Sequence, residues 1–192
     1  MIPAWLEAYE QFLGPLNLNA GCALNHEESN PSQAWINLDR NPAVNPDMEH
    51  DLNVLPLPVG DNTFDCIMAS HVLEHIDRDK FLPLIAEFHR ILKPNGHLIG
   101  VTPYGMSDDA WECPMHKQLF TASTWMYAIR ETYTGESHGK GADEGMPVRD
   151  WEIVQEIQVP YPEFQNDPEV TWKAKHWRNV IREIHVTLRA IK

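Results

Sequence analysis

The period of the apolar positions changes repeatedly along the chain, and each change marks an element. Trp5, Leu6, Tyr9, Phe12 and Leu13 recur at helical spacing before Gly14-Pro15, which predicts an amphipathic N-terminal helix. A short apolar run at 16–18 predicts a buried strand running into Asn19, Ala20 and Gly21, and 35–39 predicts a second strand that closes on Asp39. A weaker third strand is expected over 48–52, ahead of a loop at 56–62 broken by prolines and Gly60. Residues 64–70 read as a fourth strand and 71–76 as a single helical turn. Phe81, Leu84, Ile85, Phe88, Ile91 and Leu92 then share one face of a helix expected over 79–92, with Pro83 tolerable only in its first turn. Residues 93–96 (KPNG) stop it, and 97–101 read as the fifth strand.

The second half is less regular. A helix is expected over 120–129, a polar loop with four glycines over 134–149 and a strand over 151–159. A proline-rich connection follows at 160–168, then a helix over 172–182. From Ile184 onward, Ile184, Val186, Leu188 and Ala190 alternate with polar neighbours, which predicts a half-buried strand over 184–191. Short apolar runs alternating with helical patterns imply an α/β fold with a doubly wound, mostly parallel sheet in a single domain, 1–192.

Composition narrows the partners. With 15 Lys and Arg against 28 Asp and Glu the formal charge is -13, and no basic run exceeds two residues. Such a surface repels phosphate backbones, so no nucleic acid is expected and a small molecule or protein is. No apolar run approaches the roughly 18 residues of a membrane span, so no membrane partner is expected. Cys22, Cys66 and Cys113 are an odd, widely spaced set without a CxxC pair, and the N-terminus lacks a basic leader. Both point to reduced thiols in the cytoplasm.

In an open α/β sheet, ligands sit at the carboxyl ends of the strands where strand order reverses. The loops to inspect carry Asn19-Ala20-Gly21-Cys22, Asp39, Asp51-Leu52 and Ser70-His71. A small-residue turn lets a ligand approach the backbone, and an acid closing strand two can accept from both hydroxyls of a ribose. Together they suggest an adenosine-containing cofactor. The G-x-G-x-x-G fingerprint is absent, which disfavours NAD and FAD. Asp51 accepting from an adenine amino group and the Leu52 amide donating to a ring nitrogen need no phosphate cradle, which suits S-adenosyl-L-methionine.

The blocks LNLNAGC (16–22), AWINLD (34–39), HDLN (50–53), LPLPVGDNTFDCIMASHVLEHI (55–76) and RILKPNGHLI (90–99) keep order and spacing. Across roughly 14–104 they resemble the class I S-adenosylmethionine-dependent methyltransferases, above all the subgroup reading LNLGCG, GWINLD, HDLN, SFD and HVLEH. The resemblance implies a Rossmann-like seven-stranded sheet with an antiparallel C-terminal strand. It implies a cofactor half at 1–104 and a substrate half at 105–192. Asn19, Ala20 and Gly21 would approach the methionine part of the cofactor, Asp39 the ribose, Arg40 the flank of the adenine, Asp51 and Leu52 its edge, and Ser70 with His71 the sulfonium. The family's first glycine is Asn19 here and a third is Ala23. Asn19 tolerates a left-handed turn, and its side chain is expected to narrow the pocket.

The activity expected from the resemblance is methyl transfer to an O or N atom of a small-molecule or glycan-like acceptor. Displacement at a sulfonium demands chiefly that donor and acceptor be held about 3–3.5 Å apart, with a base where the acceptor is a hydroxyl or charged amine. His71 and His116 are the candidate catalytic bases. Asp108 and Asp109 read as a solvated acidic turn. Most of the late tryptophans (Trp111, Trp125, Trp151, Trp172, Trp177) read as core or loop anchors, with one or two free to wall an acceptor pocket. Two other readings compete: a cofactor-binding or interaction module without catalysis, motivated by Asn19 and Ala23, and a zinc peptidase, because His71, Glu74 and His75 spell H-x-x-E-H. The latter needs the motif inside a full helix and a further ligand. No metal is therefore expected, and His75 reads as a helix-end histidine on a nearby carbonyl.

Overall fold

The computed structural model describes residues 15–28, 32–127 and 149–192; the expected N-terminal helix and nearly all of the 134–149 loop lie outside the described residues. Seven strands are present among the described residues: β1 Leu16–Ala20, β2 Ala34–Asp39, β3 Met48–Glu49, β4 Phe64–Ser70, β5 Leu92–Pro103, β6 Trp151–Pro160 and β7 Ile181–Ala190. They form one sheet in the order β3-β2-β1-β4-β5-β7-β6. The pairings among β1 to β5 are parallel, and β7 alone runs antiparallel, to both β5 and β6. The described helices are α1 Phe81–Ile91, α2 Asp109–Glu112, α3 Ala122–Met126 and α4 Val170–His176.

The core follows the sequence periodicities. Leu18, Ile36, Leu38 and Ile67 alternate inward along the central strands and are fully buried, and α1 adds Leu84, Ile85, Phe88 and Ile91. Pro83 falls in the first turn of α1, where its missing N–H has no intrahelical acceptor to lose.

Several boundaries move, each for a tertiary reason. β1 extends through Asn19 and Ala20, because Leu16 to Ala20 pair with Ala34 to Leu38 of β2. Asn is a poor strand former, but Asn19 Nδ2 donates to Asn37 Oδ1 (3.0 Å), and Asn37 in turn donates to Asp47 Oδ2 from both its backbone amide (2.8 Å) and its side chain (3.0 Å). β3 stops at Glu49 rather than residue 52, since the Asp51 side chain caps a turn by accepting from the Asn53 amide at 2.9 Å. The 71–76 turn is a three-residue 3-10 helix, Leu73–His75. α1 ends at Ile91, and 93–96 are not merely a stop: they open β5 through a register shift opposite Phe64 and Cys66, with Asn95 at φ +63°. The helix expected over 172–182 ends at His176, because Ile181 onward pairs with β6 and β5. The connection from β1 to β2 carries no helix among its described residues. No described helix is long and apolar enough to cross a membrane.

Candidate functional site

Strand order reverses between β1 and β4, and a cavity of about 350 Å³ opens there, at the carboxyl ends of β1, β2 and β4. It brings together Gly21, Asp39, Arg40, Asp51, Leu52 and His71 of the sequence-predicted residues; Asn19, Ala20, Ser70 and His116 are not among those lining it. The volume lies in the range of small-ligand sites.

Its floor is the turn after β1. Gly21 sits at φ +72°, and a Cβ there would fall 2.2 Å from Val72 Cγ2, so this position takes glycine for both conformation and space. The Gly21 and Cys22 amides donate to the Leu38 carbonyl at 2.8 and 3.0 Å, tying the turn to β2. Ala23 also has positive φ, +45°, and its amide donates to Asp39 Oδ2 at 2.9 Å. Asn19 takes no left-handed turn. It lies extended within β1 with its side chain buried, donating to Asn25 O (2.8 Å) as well as to Asn37. The expectation that its side chain narrows the pocket does not hold, because that side chain serves the β1–β2 polar network instead. Ala20 is fully buried at the end of β1.

On the β2 side, Asp39 accepts from the Ala23 amide through Oδ2 and from the Asn41 amide (2.8 Å) through Oδ1. A carboxylate has about four acceptor positions, so each oxygen keeps room for one further donor. Next to it, Asp51 Oδ1 accepts from Asn53 through the backbone (2.9 Å) and side-chain amide (3.0 Å), while its Oδ2 has no hydrogen bond among the described residues. Burial pushes the Asp51 pKa up, but the Asn53 hydrogen bonds and the Arg40 and Lys117 charges outweigh it and lower the net value, which keeps the acceptor ionised. The buried Leu52 amide likewise finds no acceptor among the described residues. An unpaired acceptor beside an unpaired donor is the complement of an adenine edge.

The opposite wall follows β4. Ser70 ends the strand and His71 turns at φ +51°, its amide donating to the Val101 carbonyl at 2.9 Å. The His71 ring lies 3.5 Å from Glu74 through Nδ1 and 3.6 Å from Glu183 through Nε2. The Glu74 carboxylate raises the His71 pKa above the ordinary histidine value; burial opposes it and Glu183 adds to it. H-x-x-E-H therefore does not form a peptidase helix: the motif occupies a 3-10 turn, His71 pairs with carboxylates, and His75 turns toward His116, with ring centroids 4.8 Å apart. His75 Nδ1 meets the Met115 carbonyl at 3.3 Å, a backbone carbonyl as expected for it.

Sequence reasoning missed Glu183, which holds Arg182 and His185 as well as reaching His71. Only the antiparallel register of β7 on β5, with Pro103 opposite Glu183, brings it to the end of β4. Val72, Asn53 and Lys117 were missed also; Asn53 stood in the HDLN block, one residue past the two singled out. Asp108 and Asp109 are paired rather than merely solvated: Asp108 with Arg178 and Asn179, Asp109 with Tyr161 and Arg182. Trp125 and Trp151 are core residues, whereas Trp111, Trp172 and Trp177 are exposed.

Residues 20–100 match the family model described as a methyltransferase domain. Among solved structures, 1,6-didemethyltoxoflavin-N1-methyltransferase of Burkholderia thailandensis, determined with bound 1,6-didemethyltoxoflavin and S-adenosylhomocysteine, superposes at TM-score 0.57 and 13% identity, covering 93% of this chain and 72% of that one. A S-adenosylmethionine-dependent methyltransferase of Archaeoglobus fulgidus gives TM-score 0.58 at 16% identity over 96% of this chain and 90% of that one. An uncharacterised protein of Methanocaldococcus jannaschii is 47% identical over 49 residues, a stretch that is 26% of this chain and 20% of that relative. The fold is that of the class I S-adenosylmethionine-dependent methyltransferases, and within it residues 20–100 match a methyltransferase domain. The cofactor of that class is S-adenosyl-L-methionine, and the residues present fit it, with a glycine cradle at Gly21, free acceptor positions on Asp39, and the unpaired Asp51 Oδ2 and Leu52 amide.

Proposed function

We propose that this chain transfers a methyl group from S-adenosyl-L-methionine to an oxygen or nitrogen of a small-molecule or glycan-like acceptor, in the cytoplasm, with 1–104 holding the cofactor and 105–192 furnishing the acceptor side. The observation that carries the reading is the convergence on one cavity of Gly21, Asp39, Asp51, Leu52 and His71. Bound there, the cofactor supplies a methyl group on a sulfonium, already activated for displacement. Asp39 accepts the ribose hydroxyls through the oxygen positions left free by the Ala23 and Asn41 amides. Asp51 Oδ2 and the Leu52 amide read the adenine edge, Arg40 flanks it, and the Asn19–Ala20–Gly21 strand end and turn support the methionine part.

His71 is the first candidate base. With carboxylates on both sides its imidazolium is favoured, so it accepts a proton from an acceptor group most readily once the pH exceeds its raised pKa. His116 is the second candidate base, its Nδ1 fixed 2.9 Å from the Ala110 carbonyl and its other nitrogen free. The acidic surface, with net charge -13, disfavours nucleic acid as acceptor. Titration calorimetry with S-adenosylmethionine and with S-adenosylhomocysteine tests the cofactor assignment: saturable one-to-one heat is expected for both, and no heat at millimolar ligand overturns it. Binding without turnover against an acceptor panel would favour the non-catalytic module motivated by Ala23.

A further inference from the structure

The H-x-x-E-H turn ends beside a side-chain cluster of which the proposed methyl transfer draws only on His116, and a metal-bound His116 would leave His71 as the base. His75, Cys113 and His116, all half-buried, each offer a ligand atom within 4.8 Å of the others. The two histidines come from different segments: His75 ends the 3-10 turn after β4, and His116 follows α2 in the sequence Cys113-Pro114-Met115-His116. We propose that these three side chains form a metal site for Zn²⁺, with the fourth coordination position open.

Ring orientation is the first argument. His75 Nδ1 lies 3.3 Å from the Met115 carbonyl and His116 Nδ1 lies 2.9 Å from the Ala110 carbonyl. A carbonyl only accepts, so both Nδ1 atoms carry the proton and both Nε2 atoms present a lone pair. Backbone carbonyls orienting the rings through the remote nitrogen are the usual outer partners of metal-bound histidine.

Preorganisation is the second. The Lys117 amide donates to the Glu74 carbonyl (2.7 Å), Gln118 Nε2 to the Leu73 carbonyl (2.8 Å), and Lys117 Nζ pairs with Asp77 (2.6 Å), so the two ligand segments are already stitched together. The Cys113 carbonyl accepts from the His116 amide (3.1 Å), forming the tight turn that a Cys-x-x-His pair needs to point both side chains one way. Tetrahedral zinc, at about 2.1 Å from nitrogen and 2.3 Å from sulfur, places its ligand atoms about 3.4–3.6 Å apart. Closure therefore asks for roughly 1 Å of side-chain movement from the spacing present, within the rotameric freedom of half-exposed groups.

The donor set chooses the ion. Two imidazoles and a thiolate exclude magnesium and calcium, which take oxygen, and suit zinc. Binding converts the Cys113 S–H to a zinc-bound thiolate and releases its proton to solvent. Cys22 and Cys66 do not compete, because burial pushes both thiols up to about 11. His75 and Met115 also line the cofactor cavity, so the ion would fasten the 113–117 segment to the cavity rim.

The test uses the full, untagged chain stripped with a chelator and titrated with Co²⁺, then with Zn²⁺ in competition. The expected result is a thiolate-to-cobalt charge-transfer band that saturates at one equivalent and is displaced by Zn²⁺. Cys113→Ser should abolish the band, Cys66→Ser should leave it, and His75→Ala and His116→Ala should each weaken binding by roughly tenfold or more, with circular dichroism reporting that each variant is folded. Absence of the band in the unaltered chain, or a band that survives Cys113→Ser, overturns the proposal, and neither result bears on cofactor binding.

Discussion

Asp39 makes the most direct link between one side chain and the cavity, since it ends β2, pins the turn after β1 through the Ala23 amide and keeps acceptor positions free. On the proposed ribose role, Asp39→Ala would leave donors of the cofactor unpaired, and S-adenosylmethionine affinity measured by calorimetry should fall by about 1–3 kcal/mol; an unchanged affinity contradicts that role. Ala23, held at φ +45°, carries the cost of a left-handed L-residue, so Ala23→Gly should stabilise the chain by about 0.5–1 kcal/mol in denaturant unfolding. His71 is a matter of sign. Its folded pKa is raised, chiefly by Glu74, so the stability it lends is present below the unfolded value near 6.5 and is lost as the pH climbs through the raised folded value. A proton-resonance titration should find His71 above the ordinary value and Glu74→Gln should bring it down; a value that does not move refutes the pairing. At this scale much was legible: Asp39, Asp51, Leu52 and His71 were visible at strand ends in the sequence. Glu183 was not, because an acid at the start of an alternating strand acquires meaning only when the sheet order sets it beside β4.

Among the elements, strands flanked by clear turn residues were read well and those decided by tertiary pairing were not. β4 falls at 64–70 as expected, with apolar residues bounded by Thr63 and the His71 turn. β1 is expected to be short because Asn19 looks like a strand breaker until Asn37 is placed beside it to receive the hydrogen bond. α4 ends earlier than expected, because the β6–β7 pairing takes up the chain from Ile181. Packing between elements supplies its own test. Gly100 in β5 faces the Trp125 indole of α3, and a Cβ there would lie 2.3 Å from Trp125 Cη2. Gly100→Ala should therefore destabilise by about 1–3 kcal/mol in thermal or denaturant unfolding, through displacement of a fully buried ring. A neutral effect would mean that α3 moves freely on the sheet.

For the molecule as a whole, the topology explains why the site lies where it does. The reversal between β1 and β4 opens the cavity, β7 returns antiparallel to bring Glu183 to His71, and the paired Asp108 and Asp109 lash the segment after β5 to the start of β7. The cavity is thereby lined by residues 21–76 together with Met115 and Lys117 from the second half. The proposed reaction of this assembly is the movement of a methyl group. It is tested most directly by incubating the chain with S-adenosylmethionine carrying an isotope-labelled methyl group and a fractionated small-metabolite pool, and following S-adenosylhomocysteine and labelled product together. Equimolar formation of both is expected, with the rate rising as the pH passes the His71 pKa and collapsing in Asp39→Ala; a chain that binds the cofactor yet yields neither product across the pool would contradict methyl transfer.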